Sequence, residues 1–185
     1  MSKTNPPRAT LVLGGARSGK SSYAQRMILG ATKSRPLYIA TAQALDDEMA
    51  ERIGRHRADR GTSWDTIEEP LDLAGALAAN NGRAIMVDCL TLWLSNLLHV
   101  EKDISSERDR LVATVADIAG PVVLIANEVG LGIVPDNALA RRFRDEAGWL
   151  NQALAQICDR VIFMAAGLPL VMKDETAIAG TTTSR

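Results

Sequence analysis

Gly14-Gly15-Ala16-Arg17-Ser18-Gly19-Lys20-Ser21 is the stretch on which the reading of this chain turns. It fits G-x-x-x-x-G-K-[ST], the P-loop pattern, and its flanks supply the context that pattern needs. Thr10-Leu11-Val12-Leu13 is a short apolar run that reads as a buried strand. Ser21 to Leu29 reads as a helix with Ala24, Met27 and Ile28 along one side. Strand, glycine-rich turn and helix N-terminus together form an anion site. Backbone N–H groups point inward, the helix dipole favours negative charge, and Lys20 adds a full positive charge. Ser21 is placed to offer its hydroxyl to Mg²⁺. The competing explanation is a chance match on a glycine-rich turn, and the flanking strand and helix argue against it. The stretch predicts binding of a nucleoside triphosphate and does not say what becomes of it.

Composition bounds the rest. A chain of 185 residues is expected to be one domain with a sizeable core, here residues 10–175 between loose polar tails at 1–9 and 176–185. Hydrophobic residues make up 46%, which excludes wholesale disorder. A formal net charge of -1 gives no electrostatic footprint for nucleic acid or a membrane surface. No apolar run approaches the length of a membrane span. Cys89 and Cys158 sit in apolar segments without metal-ligand spacing and read as reduced core thiols, so a cytoplasmic compartment is expected. Met1 to Arg8 lacks the apolar core of a signal peptide.

Along the chain, strands and helices alternate. After the first helix, Leu37–Thr41 reads as a second strand, Asp46–Arg60 as a charged helix and Trp64–Glu68 as a short strand stopped by Pro70. Leu71–Ala79 reads as helix, Ala84–Asp88 as strand and Leu90–Leu98 as a short apolar helix. Glu101–Ser106 reads as a polar turn and Arg108–Ala119 as helix. Val122–Ala126 is a further strand, Gly130–Pro135 a loop and Asn137–Asp159 the longest helix. Val161–Ala165 is the next strand, with Leu168–Met172 an antiparallel edge. The strands are continuous apolar runs, as expected when both faces of a sheet are covered. The fold class is therefore α/β: one P-loop NTPase domain, a mostly parallel sheet with helices on both faces, and loops after the strands gathered along one ligand-binding edge.

Three further residues invite chemistry. Asp88 ends an apolar strand, the place from which a P-loop protein holds Mg²⁺; the plain alternative is a strand-end turn. Glu128, in Asn127-Glu128-Val129-Gly130, is the rival ligand, with a local turn as its own plain reading. His56 stands among Arg52, Arg55, Arg57 and Arg60. It is either part of a solvated helix face or a nucleophile toward phosphorus, with arginines to neutralise the phosphoryl charge. His99 and the tryptophans Trp64, Trp93 and Trp149 read as structural, packing or interface residues.

At this point the chain resembles the bifunctional adenosylcobinamide kinase/adenosylcobinamide-phosphate guanylyltransferase family of cobalamin biosynthesis. The resemblance is carried by GGARSGKS at Gly14–Ser21, YIATAQALDDEMAERI at Tyr38–Ile53, and His56 followed by Arg57 to Arg60. It continues through Trp64–Pro70, VDCLTLWLSNLL at Val87–Leu98 and NEVGLGIVPDNALARRFRDEAGWLNQALA at Asn127–Ala155. It implies two reactions. ATP or GTP phosphorylates the hydroxyl of the aminopropanol arm of adenosylcobinamide. GTP then guanylylates a histidine, and the phosphorylated corrinoid takes the GMP to give adenosylcobinamide-GDP. The histidine falls on His56; Arg55 stands where some relatives carry a second one. Nucleotide contacts carry over to Gly14, Gly15, Ala16, Arg17, Ser18, Gly19, Lys20 and Ser21, to Ala40, Thr41 and Ala42, to Arg57, Ala58, Asp59 and Arg60, and to Glu68 and Asp88. The resemblance also implies a homo-oligomer, a trimer with sites between subunits, which the apolar Leu90–Leu98 segment would suit.

Two other functions compete. A P-loop small-molecule kinase without nucleotidyl transfer needs Lys20 and Asp88 but not His56. A GTPase-type switch needs N-K-x-D after a strand, and Asn127-Glu128-Val129-Gly130 lacks the guanine-reading Asp. Asp117-Ile118-Ala119-Gly120 matches D-x-x-G but precedes a strand instead of following one.

Overall fold

The run Thr10–Leu13 lies within β1 (Ala9–Gly14), a strand with a partner on each side and every residue buried. The structure is a computed structural model and describes residues 7–44, 51, 54 and 62–176. After β1 come α1 (Lys20–Ala31), β2 (Leu37–Ala40), β3 (Asp65–Glu68), α2 (Leu73–Ala79) and β4 (Ile85–Asp88). Then follow α3 (Leu90–His99), α4 (Ile104–Ala116), β5 (Val122–Asn127), α5 (Ala138–Ile157), β6 (Arg160–Ala165) and β7 (Leu168–Asp174). The seven described strands form one sheet in the order β3-β2-β4-β5-β1-β6-β7. Neighbours run parallel except β6 and β7, which form an antiparallel hairpin with a register shift between Val161 and Ile162.

The sheet is covered on both faces, and β1 shows why its run is continuous. Leu11 and Leu13 enter one core cluster, which holds Leu73 and Leu77 of α2, Leu90, Trp93, Leu94 and Leu97 of α3, Leu111 and Val115 of α4, and Leu150 and Leu154 of α5. Val12 points the other way, into a cluster with Ala24 and Ile28 of α1. Successive strand residues face opposite sides, so a doubly covered strand buries its side chains at every position. Truncating one of the fully buried leucines, such as Leu11, costs about 2–5 kcal/mol.

Several boundaries differ from the sequence expectation. The polar turn assigned to Glu101–Ser106 is shorter, because α4 already begins at Ile104. Asp103 caps it, accepting from the Ser106 N–H at 3.3 Å, and Ile104 is buried. The helix also ends earlier than Ala119, at Ala116. α2 starts at Leu73 instead of Leu71, with Asp72 as its cap. The longest helix is Ala138–Ile157, capped by Asn137, and it runs through Gly148. The apolar Leu90–Leu98 run needs no neighbouring subunit: Leu90, Trp93, Leu94 and Leu97 are buried in the chain's own core. His99 ends α3 and is exposed; Trp64 and Trp93 are buried, and Trp149 is exposed. The charged helix expected over Asp46–Arg60 lies outside the described residues apart from Glu51 and Gly54, both helical.

Candidate active site

β1 delivers the glycine loop to the C-terminal edge of the sheet, and α1 leaves it with Gly19 as its N-cap. Two glycines are required by contact. A Cβ on Gly14, whose φ is +149, would sit 2.3 Å from the Met164 carbonyl oxygen of β6. Gly19 has φ +94, and a Cβ there would stand 3.3 Å from Cα of Gly167 in the β6–β7 turn. The loop is tied on both sides. The Glu128 N–H donates to the Gly14 carbonyl at 3.0 Å, and the Gly167 N–H donates to the Ser18 carbonyl at 3.0 Å. The Ser18 N–H closes back on Gly15 O at 3.3 Å. Ala16 and Arg17 are exposed at the tip, Arg17 with φ 56.

Lys20 is buried at the base of this loop. Its Nζ donates to the Gly15 carbonyl at 2.6 Å and approaches Ser18 Oγ at 3.4 Å. Burial pushes its pKa below the ordinary lysine range, and the negative charge of Cys89 and Asp88 in their ionised forms opposes that shift. Ser21, one residue on, donates to Asp88 Oδ2 at 3.2 Å, and the Tyr38 hydroxyl donates to the same oxygen at 2.6 Å. A hydroxyl and a carboxylate, both hard oxygen donors, thus face each other beside the phosphate loop. This set fits Mg²⁺, which takes few protein ligands and fills its octahedron with phosphate oxygens and water. Among the described residues no group of three or more His, Cys, Asp or Glu side chains gathers to hold a metal by itself. The rival carboxylate is engaged locally: Glu128 Oε1 accepts from the Gly130 N–H at 2.6 Å.

Strand register lines up the remaining predicted residues. Ala40 pairs with Glu68 on one side and with Asp88 on the other, so Glu68, Ala40 and Asp88 form a row across the C-terminal ends of β3, β2 and β4. Thr41 follows, fully buried, with Ala42 half-buried beyond it. Gly14 to Ser21, Ala40, Thr41, Ala42, Glu68, Asp88 and Glu128 therefore share one edge of the sheet. His56, Arg57, Ala58, Asp59 and Arg60 lie outside the described residues.

Sequence reasoning missed two polar side chains at this edge. Tyr38 sits two residues before the strand end, and its contact with Asp88 depends on β2 lying beside β4. Asn96 is a polar residue on the buried side of an otherwise apolar helix, and that position was its signal. Cys89 and Cys158 are free and buried, as expected of core thiols.

A family model described as cobinamide kinase / cobinamide phosphate guanyltransferase matches residues 10–172. The bifunctional adenosylcobalamin biosynthesis protein CobP of Pseudomonas aeruginosa is 51% identical over 171 residues, covering 89% of this chain and 97% of its own. The bifunctional adenosylcobalamin biosynthesis proteins CobU of Escherichia coli and of Salmonella typhimurium are 40% and 42% identical, each match covering 88% of this chain and 98% of the relative. Among solved structures, a KaiC-like protein of Pyrococcus horikoshii superposes with a TM-score of 0.51 at 14% identity, covering 90% of this chain and 79% of that one. That likeness concerns the fold.

Proposed function

The chain belongs to the cobinamide kinase / cobinamide phosphate guanyltransferase family, and from that membership we propose that it phosphorylates adenosylcobinamide and then transfers GMP to the product through His56. Both steps start from one triphosphate cradle. Backbone N–H groups of Gly14–Ser21 meet the phosphate oxygens, and Lys20 exchanges the Gly15 carbonyl for them. Ser21 and Asp88 would hold Mg²⁺, which would supply positive charge against that developing on the phosphate oxygens. The observation that carries the phosphoryl chemistry is the convergence of Lys20, Ser21 and Asp88, with Ser21 Oγ 3.2 Å from Asp88 Oδ2.

In the kinase step the corrinoid hydroxyl oxygen attacks the γ phosphorus of ATP or GTP. The bond from that phosphorus to the β-bridging oxygen breaks, the nucleoside diphosphate leaves, and the hydroxyl proton passes to solvent. In the transfer step the unprotonated ring nitrogen of His56 attacks the α phosphorus of GTP, and pyrophosphate leaves. The second ring nitrogen then releases its proton. A phosphate oxygen of the corrinoid phosphate next attacks that phosphorus, the second ring nitrogen takes up a proton from solvent as the P–N bond breaks, and adenosylcobinamide-GDP is released with neutral His56 restored. Ala40, Thr41, Ala42 and Glu68, with Arg57, Ala58, Asp59 and Arg60, make the further nucleotide contacts. The row of Glu68, Ala40 and Asp88 supports that placement.

Incubation with α-labelled GTP tests the reading: label becomes covalently bound to the chain and is chased into product by adenosylcobinamide phosphate. A kinase without nucleotidyl transfer acquires none. The catalytic domain is residues 10–175, and the working form is a homo-oligomer, a trimer by family resemblance. Exposed Leu131, Ile133, Val134 and Trp149, and Leu168, Leu170 and Met172 on β7, support association. Buried free thiols favour the reducing cytoplasm, and no helix of the described residues is long and apolar enough to cross a membrane.

A further inference from the structure

Among the described residues, the Thr10 hydroxyl is the buried side-chain group that finds no hydrogen-bond partner. The residue is 1% exposed. A hydroxyl taken out of water without a partner costs free energy, so its place here calls for a reason. Thr10 pairs with Val123 of β5 on one side and with Arg160 of β6 on the other. Residues opposite one another on a ladder share a face. Val123 belongs to the cluster that holds Ile28 of α1, so the row Val123, Thr10 and Arg160 faces that helix.

A cavity of about 310 Å³ lies there, lined by the three residues of the row and, from the last turns of α1, by Met27, Ile28 and Gly30. It sits at the N-terminal ends of β1, β5 and β6. About 13 Å of strand separates Thr10 from Gly14, so the cavity is distinct from the phosphate loop. Its polar groups carry no net charge. Arg160 is paired across the β6–β7 hairpin, where Nη2 and Nε both donate to Asp174 Oδ2, at 2.8 Å and 3.1 Å. No basic residue stands in the last turn of α1, where the final carbonyls lack intrahelical N–H partners. An anion would meet a neutralised arginine and the negative end of a helix dipole.

We propose that this cavity binds a small uncharged aromatic molecule that carries one hydroxyl or amide group. Ile28 and Val123 cover the ring, and the Met27 thioether favours a ring over an alkyl chain. The Thr10 hydroxyl pairs with the polar group and fixes its orientation, the division of labour usual in small-molecule sites. The site makes no use of Lys20, Ser21 or Asp88, so its occupancy is measured apart from turnover.

The experiment uses the full-length chain and two probes with the same rings: 1-naphthol, uncharged at neutral pH, and 1-naphthoate, an anion. Amide-shift titration by NMR should give saturable one-to-one binding of 1-naphthol with a Kd of about 0.1–1 mM, ordinary for a ligand of this size. 1-Naphthoate should bind about tenfold more weakly, or not at all, for want of an unpaired positive charge. Thr10→Val keeps the shape of the side chain and removes the hydroxyl. It should weaken 1-naphthol binding by about fivefold or more. It should leave the thermal midpoint of the free protein at or above wild type, since no hydrogen bond is lost. Gly30→Leu enters the cavity from the helix. A Cβ at Gly30 meets no atom within 4 Å, so this variant should fold and lose the binding. Wild-type affinity in either variant would put the probe elsewhere and overturn the site. Equal affinity for the two probes, or no saturable binding to wild type, would overturn it too. A clear fall in the midpoint of Thr10→Val would show the hydroxyl already bonded within the folded chain, and the inference would then fail.

Discussion

Tyr38 and Asp88, on neighbouring strands, are joined by a 2.6 Å hydrogen bond that places the tyrosine hydroxyl on the same carboxylate oxygen Ser21 reaches. The tyrosine ring is held independently, edge-on to Trp64 at 5.7 Å between centroids. The hydroxyl therefore aims a carboxylate that the backbone alone leaves free to rotate. Tyr38→Phe keeps the ring packing and loses that aim. A hydrogen bond of this kind contributes about 0.5–1.5 kcal/mol, so the Mg²⁺ concentration for half-maximal kinase rate should rise by about threefold to tenfold. A Mg²⁺ titration of the kinase rate checks this; an unchanged midpoint would mean that Ser21 suffices.

Replacing Lys20 with Ala should lower both activities by about a hundredfold or more, since the phosphate loop loses its buried cation. Wild-type rates in that variant would place the nucleotide elsewhere. Burial holds the Lys20 pKa below 10.5, with the Asp88 carboxylate pulling the other way. Between the lowered value and 10.5 the unfolded chain binds a proton that the native chain has shed. The cost of burying the charge is therefore full below that window and fades as pH rises through it. A bound triphosphate reverses the shift, so nucleotide binding in that window should take up a proton. Calorimetry in buffers of different ionisation enthalpy should register the uptake in wild type and lose it in Lys20→Met.

Chelation of divalent metal should stop both reactions. Asp88→Asn should raise the Mg²⁺ requirement. Glu128→Gln should leave it near wild type, because an amide oxygen still accepts from Gly130. The opposite pattern in the two titrations would transfer the metal role to Glu128.

His56→Ala should abolish covalent label from α-labelled GTP and formation of adenosylcobinamide-GDP, while leaving phosphorylation of adenosylcobinamide at least partly intact. The bond in wild type should be acid-labile and base-stable, as expected of a phosphoramidate. The attacking ring must be neutral, so labelling should fall as pH drops below the imidazole range, about 6.5 when unperturbed. His99→Ala should label normally. Stoichiometric acid-labile GMP on His56→Ala would remove His56 from the mechanism.

Cys89 and Cys158 should resist alkylation at pH 8 until the chain unfolds. Burial pushes their pKa values up to about 11 and about 12, so the native thiols stay protonated. Between 9.0 and those values the native chain holds protons the unfolded chain has lost, so their contribution to stability is full below 9.0 and declines above it. Rapid modification of the native protein at pH 8 would contradict this burial.

The phosphate loop was legible because strand, turn and helix start are encoded in consecutive residues, each with its own local signal. Strand-end carboxylates were legible for the same reason. Strand order was not, since which strands lie side by side is settled by packing across the whole sheet, and the role of Tyr38 follows from that order. The start of α4 was misplaced because Asp103 and Ser106 read as turn formers, whereas Asp103 is a helix cap and Ile104 already faces the core. The apolarity of Leu90–Leu98 was legible, but its target was not: a helix buried in its own domain and one buried against a neighbour carry the same pattern.

The ties on the glycine loop, from Glu128 to Gly14 and from Gly167 to Ser18, have a kinetic corollary. A cradle fixed at both flanks presents the α and γ phosphorus atoms of a bound triphosphate at constant coordinates. Which of the two reacts is then decided by the nucleophile that arrives, hydroxyl or imidazole, and not by a shift of the donor. Sequential chemistry on such a support is ordered by which acceptor meets each successive triphosphate in an unmoving cradle.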